Sequence, residues 1–316
     1  METSRSADAA PRLCVLAAEP LLTVTIEASG HEVDVPEVHV HAGGQGLWIS
    51  RMAASLGATV TVCGPFGGET GSVLAHLAEQ ESFDVRTTTG PSNGAYVHDR
   101  RDGERREIAR MPSPLLDRHC LDDLYGTVLV ASLDADVCVL TGTEESSNVP
   151  PSFFGRLAHD LRAAGRIVVA DLSGGQAKAV MDVDGVILKI SHEEMVEGGF
   201  ADDDTLDSLR AAAEKLVADG LGGVVLSRAH EPALVVTGEN VATVTTPPIT
   251  TVDHRGAGDS MTAGIAVGVG RGESLASAAR LGAAAGALNV TRRGLGTGRR
   301  EQIERYAQQV RVDLLD

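Results

Sequence analysis

The stretch RIVVADLSGGQAKAVMDVDGVILKISHEEMVEGGFADDDTLDSLRAAAEKLVADGLGGVVLSR, residues 166–228, decides the fold class. RIVVADL, GVILKI and GVVLSR are short and almost wholly apolar, and DTLDSLRAAAEKLVADG between the last two carries helical spacing. Apolar residues on both faces of a strand imply burial on both faces, which a parallel sheet flanked by helices provides. LCVLAA, TVTVCGPFG and VCVLTG read the same way, with SVLAHLAEQ and FFGRLAHDLRAAG as further helices. The pattern predicts an α/β protein of three layers, a doubly wound sheet with helices on both sides.

Two segments break the rhythm. HEVDVPEVHVHAGG (31–44) and GAYVHDRRDGERREIARMP (94–112) alternate apolar and polar residues, as strands with one wet face do, and the D-G pair in the second predicts a hairpin. We read them as a small β appendage, over about 24–42 and 92–112, above one domain spanning 13–316. The polar residues 1–12 are expected to be disordered.

Composition narrows the function. Of 316 residues, 43% are hydrophobic but only 3% aromatic, so the core is built from Ala, Val, Leu and Ile. A net charge of −17 opposes binding to nucleic acid or an anionic membrane surface. Cys14, Cys63, Cys120 and Cys138 are scattered, with no metal or disulfide spacing, and reduced thiols in a cytoplasmic protein are expected. The N-terminus lacks a signal-peptide apolar core.

VDHRGAGDSMTAGIAVGVG, residues 252–270, places Asp259 directly behind Gly-Ala-Gly, where an apolar helix begins. Glycines 256 and 258 let backbone N–H groups converge at the positive end of that helix, an arrangement suited to a phosphoryl group. Asp259 beside it can take a proton from an attacking hydroxyl. It can equally be a helix cap, and the spacing alone leaves both readings standing.

The surrounding motifs resemble those of the PfkB, or ribokinase-like, carbohydrate kinases. DHRGAGDSMTAG resembles the family's C-terminal signature. AGGQGLWISRMAASLGATVTVCGPFGGETG is similar to its N-terminal one, LKISHEEM to its K-P-N-x-x-E and VTRRGLGTG to its closing segment. The resemblance implies a ribokinase-like fold with a β-lid over the acceptor, a homodimer through that lid, and transfer of a phosphoryl group from ATP to a sugar. It makes Asp259 the general base and the backbone of Gly256, Ala257 and Gly258 the anion hole. It places Gly43 and Gly44 at the sugar, and Lys189, Ser191, Glu194, Ser227, Ala229 and Asn289 at the nucleotide. Glu194 then organises Mg2+ through water. Asp253, with carbonyls near Asn289, Arg292 and Gly294, becomes a candidate site for a monovalent cation such as K+.

Length and the Gly-Gly start match best the 1-phosphofructokinase and tagatose-6-phosphate kinase branch, but the acceptor pocket departs from it. Thr23 stands where sugar kinases keep an aspartate, Gln45 and Trp48 replace a lysine and an asparagine, and Asn93 replaces a phosphate-binding arginine. On the nucleotide side Ser191 replaces an asparagine, Ala229 and Pro232 replace glycines, and Arg255 replaces a small hydroxyl residue. The run Arg100, Arg101, Arg105, Arg106, Arg110 reads as a solvated face or as a clamp for an anionic acceptor. The alternatives are a nucleoside kinase, with Trp48 stacking on a base, and a catalytically silent ligand-binding or regulatory homologue.

Overall fold

The computed structural model describes residues 10–29, 35–143, 148–292 and 294–315. Residues 1–9 of the segment expected to be disordered lie outside them.

Ten strands form the main sheet, and four form a second, smaller one. The main sheet holds β1 (Arg12–Leu16), β4 (Thr59–Gly67), β5 (Asp84–Ser92), β8 (Val137–Thr141), β9 (Ile167–Asp171), β10 (Ile187–Ser191), β11 (Gly223–Arg228), β12 (Glu231–Val236), β13 (Val241–Thr245) and β14 (Arg311–Leu315). Their spatial order is β14-β13-β12-β11-β10-β9-β8-β1-β4-β5. Pairing is parallel from β5 to β11 and antiparallel from there to β14. The small sheet holds β2 (Leu21–Ala28), β3 (Pro36–Gly43), β6 (Ala95–Asp99) and β7 (Arg106–Met111), in the order β3-β2-β6-β7.

Along β1, Leu13 and Val15 face one hydrophobic cluster while Cys14 and Leu16 face another. That is why the strand reads as continuously apolar: the sheet has a core on each side. Helices α1 (Gln45–Ser55), α2 (Gly68–Gln80), α8 (Ala257–Gly270), α9 (Leu275–Asn289) and α10 (Arg300–Ala307) pack into the first cluster. Helices α3 (Arg118–Ser132), α4 (Pro151–Ala163), α5 (Gly174–Met181), α6 (His192–Glu197) and α7 (Leu206–Ala218) cover the opposite face.

Every residue of α8 from Ser260 to Val269 is buried, so it runs through the core, not over it. It lies against α9 through small residues: a Cβ at Gly264 would sit 2.5 Å from the Gly282 Cα, and one at Gly268 2.6 Å from the Ala278 Cβ. With few aromatics available, close backbone approach replaces bulky side chains as the source of contact.

The small sheet is one-sided. Thr23, Thr25, Tyr96 and His98 point inward and are buried, whereas Val38, Val40, Ile108 and Met111 are exposed. All of β7 is exposed. Among the described residues no helix is long and apolar enough to cross a membrane.

Candidate active site

After β1 the chain moves to β4 and β5 on one side, then returns through β8 and β9 on the other. Loops at the C-terminal ends of β1 and β8 therefore diverge, and a crevice opens where strand order reverses. A cavity of about 230 Å³ lies there. Glu19 follows β1, Gly142 and Thr143 follow β8, and Asp171 closes β9. Glu194 on α6, Asp259 on α8, Gly44, Gln45 and Trp48 at the start of α1, and Tyr96 from the small sheet complete the wall.

The position of Asp259 separates the two readings of the sequence. The N-cap of α8 is Gly256, in the left-handed region at φ 71°, and no side chain caps the helix. Asp259 sits within the first turn, and its carboxylate lines the cavity. Several backbone N–H groups of that turn have no partner within the helix. A Cβ at Gly258 would meet the Lys189 Nζ at 2.8 Å.

Charge is concentrated beneath this turn. Lys189 Nζ donates to Asp171 Oδ1 at 3.2 Å, and both groups are buried. The other oxygen of Asp171 accepts from Thr262 Oγ1 on α8. Burial and the neighbouring Asp171 carboxylate push the Asp259 pKa up to about 7, against the pull of Lys189 and a hydrogen bond from Gln45. Burial pulls the Lys189 pKa down, but Asp171, Asp259 and Glu194 outweigh it and leave the ammonium raised. One lysine thus faces three acids, and the cavity can receive a further cation.

Glu194 fits that need. Its Oε2 accepts from Ser191 N at 2.8 Å, while Ser191 Oγ accepts from Glu194 N at 3.2 Å, a reciprocal cap on α6. The cap holds one carboxylate oxygen, and Glu194 lines the cavity. Oxygen donors of this kind suit Mg2+. Ser191 is therefore occupied in capping.

Other predicted residues go elsewhere. Asn93 lines a separate small cleft, and its amide is spent on backbone: Oδ1 accepts from Gly67 N at 2.9 Å, and Nδ2 donates to the Pro65 and Pro20 carbonyls. Asn289 is likewise a clamp, donating to Arg255 O at 2.8 Å and accepting from Gly296 N at 3.0 Å. Gly43 is packed against Thr23, with no room for a Cβ. Ser227 and Ala229 lie at the end of β11 and in the turn after it, outside the cavity. Ala229 keeps a left-handed φ of 50°, so that turn retains a glycine-like backbone.

Thr23 lines a second cavity, of about 110 Å³, with His41, Arg51, Arg100 and Arg105, and Trp48 borders both spaces. Trp48 is therefore a partition and not buried core. Around Tyr96 and His98 the arginines of the small sheet converge with Arg255. Burial and the charges of Arg105, Arg255, Arg100 and Arg110 push the His98 pKa down to about 4, so it is neutral at pH 7. Both its ring nitrogens are buried without a hydrogen-bond partner. Burial and Arg255 lower the Arg105 pKa to about 10.

Of the oxygens expected to hold a monovalent cation, those of Asp253, Asn289 and Gly294 accept hydrogen bonds. Asp253 Oδ2 accepts from Arg100 Nη2 at 2.6 Å and its Oδ1 from Arg255 N at 3.0 Å. Asn289 O accepts from Arg292 N at 3.0 Å, and Gly294 O from Thr297 Oγ1 at 2.9 Å. The Arg292 side chain turns away to Gln302.

The sequence reading passed over Asp171, Glu19 and Tyr96. Asp171 carried a signal, an acid ending a buried strand at the ligand-binding edge of a parallel sheet.

The model of the pfkB family of carbohydrate kinases matches residues 20–302. The chain is 28% identical over 309 residues to the ATP-dependent 6-phosphofructokinase isozyme 2 of Mycobacterium tuberculosis, covering 94% of this chain and 89% of that one. It is 26% identical to the 1-phosphofructokinase of Vibrio cholerae, over 89% of each. The fold matches phosphofructokinase-2 from Escherichia coli in complex with potassium at a TM-score of 0.83, with 24% identity, over 94% of this chain and 98% of the other.

Proposed function

The chain belongs to the pfkB family of carbohydrate kinases, phosphotransferases with an alcohol acceptor, and on that premise we propose that it phosphorylates a sugar phosphate from ATP. The observation that carries the reading is Asp259, uncommitted to capping, at the wall of the cavity beside the open first turn of α8.

The acceptor hydroxyl gives its proton to the Asp259 carboxylate as its oxygen bonds to the γ-phosphorus. The bond from that phosphorus to the bridging oxygen breaks, and ADP leaves with the electron pair. Burial raises the basicity of Asp259 into a useful range without leaving it protonated above neutral pH. N–H groups at Gly256, Ala257 and Gly258 face the charge that develops on the transferred group. Mg2+, held through Glu194, would neutralise charge on the triphosphate. Lys189, locked to Asp171, holds positive charge beneath the same turn.

Arg105 and Arg255 favour an anionic acceptor. Their charges converge on Tyr96, which lines the cavity. They would supply the charge-assisted hydrogen bonds that Asn93, committed elsewhere, does not. Among sugar phosphates, fructose 6-phosphate is the first to test, given the relatives' name. The small sheet then serves as lid, and its exposed Val38, Val40, Ile108 and Met111 as a homodimer contact.

ADP formation measured over fructose 6-phosphate, fructose 1-phosphate, fructose and a set of nucleosides tests the reading. Preference for a phosphorylated sugar supports it. A nucleoside preference would make Trp48 a stacking platform instead, and no turnover with any acceptor would leave a silent homologue.

A further inference from the structure

Arg100 directly follows β6, and its backbone N donates to Ile26 O across the small sheet. Its guanidinium leaves that sheet and meets Asp253, in the loop before α8, at 2.6 Å. Both side chains are nearly buried, at 9% and 10% exposure. Asp253 is the one side-chain carboxylate among the oxygens that the sequence pattern offered to a monovalent cation. A second cation within bonding distance of that carboxylate would face a guanidinium already there, in surroundings where like charges repel strongly. Three of the backbone oxygens nearby are already hydrogen-bonded. Arg255 O, Asn289 O and Gly294 O each accept a hydrogen bond from within the loop region. Arg100 also faces Glu27, whose Oε1 lies 4.0 Å from Nη1.

We propose that the Arg100 guanidinium takes the place of a monovalent cation at Asp253, so that the loop before α8 is held by the small sheet and needs no K+. The charge is then covalently present at any ion concentration. The same contact ties the position of that sheet to Gly256, three residues beyond Asp253, and so to the open end of α8. This inference does not depend on which acceptor the enzyme uses.

Thermal unfolding of the full chain at constant ionic strength, in potassium, sodium or tetramethylammonium chloride, tests it without reference to activity. The wild type should give one midpoint in all three salts. Arg100→Ala should unfold at a lower midpoint that K+ restores in a saturable, K+-selective way, as binding to the folded state requires. Adding Asp253→Asn to that variant should abolish the restoration. Arg100→Lys, which keeps the charge, should remain indifferent to K+. A saturable K+-selective rise in the wild type would overturn the proposal, as would an Arg100→Ala variant that ignores K+. Should Arg100→Ala not fold, Arg100→Gln carries the same expectation.

Discussion

Asp259 has a cost as well as a use. Its folded pKa, about 7, lies above the ordinary 3.8, so folding favours the protonated form. Its ionisation therefore opposes folding: the penalty is absent below about pH 4, grows as pH rises, and is complete above about pH 7. Asp259→Asn should accordingly raise the unfolding midpoint more at pH 8 than at pH 4.5. A variant equally or less stable at pH 8 would show that the carboxylate is not strained in this way. Turnover should depend on the same group in the opposite sense, with kcat/KM rising through about pH 7 to a plateau as the base ionises. Arg105→Ala should raise KM for a phosphorylated acceptor by about 10–100-fold, the loss of one charge-assisted hydrogen bond, while leaving an unphosphorylated sugar unaffected. An equal loss on both sugars would move Arg105 from binding to architecture. At this scale the candidates Asp259, Glu194, Gly44, Gln45 and Trp48, named from the sequence, all line the cavity. Asn93, Asn289 and Ser191 hydrogen-bond to the backbone, because amides and hydroxyls serve backbone as readily as ligands. Only the fold shows which groups they meet.

Among the elements, α8 carries Asp259 to the cavity and packs against α9. Gly264 meets the Gly282 backbone, so a methyl there has no flexible neighbour to displace. Gly264→Ala should destabilise by about 1–3 kcal/mol despite Ala's better helix propensity, because the helices must separate. An unchanged or raised denaturant midpoint would contradict that packing. The parallel strands β1, β4, β8, β9, β10 and β11 were legible because burial on both faces leaves mainly apolar runs, whereas the parallel edge strand β5, polar and mostly exposed, was not. The antiparallel end, β12 to β14, was not singled out. Its strands, GluProAlaLeuValVal among them, are short and mix polar with apolar positions. The separation of the two sheets was legible as a change from continuous apolarity to alternation.

At the scale of the whole molecule the small sheet borders the cavity through Tyr96, and the exposed apolar residues of that sheet are proposed to pair with a second copy. The wild type should then elute as a dimer by light scattering, and Val40→Asp with Ile108→Asp should yield a monomer of unchanged circular dichroism. A wild-type monomer at micromolar concentration would exclude the contact. The small sheet and the loop before α8 are linked through Arg100 and Asp253. Net charge, read from composition, argued against polyanionic partners yet concealed the local reversal of sign around Tyr96. Arginines from the hairpin and Arg255 are far apart in sequence and meet only in the fold.

The most direct test follows the phosphorus itself. Phosphorus NMR of ATP, Mg2+ and fructose 6-phosphate with the wild type should show the γ-phosphate signal replaced by ADP and a sugar bisphosphate. With Asp259→Asn, folded by circular dichroism, the same conversion should be slower by about 10²–10⁴-fold, the usual worth of a positioned base. Conversion by the variant at the wild-type rate would contradict the account.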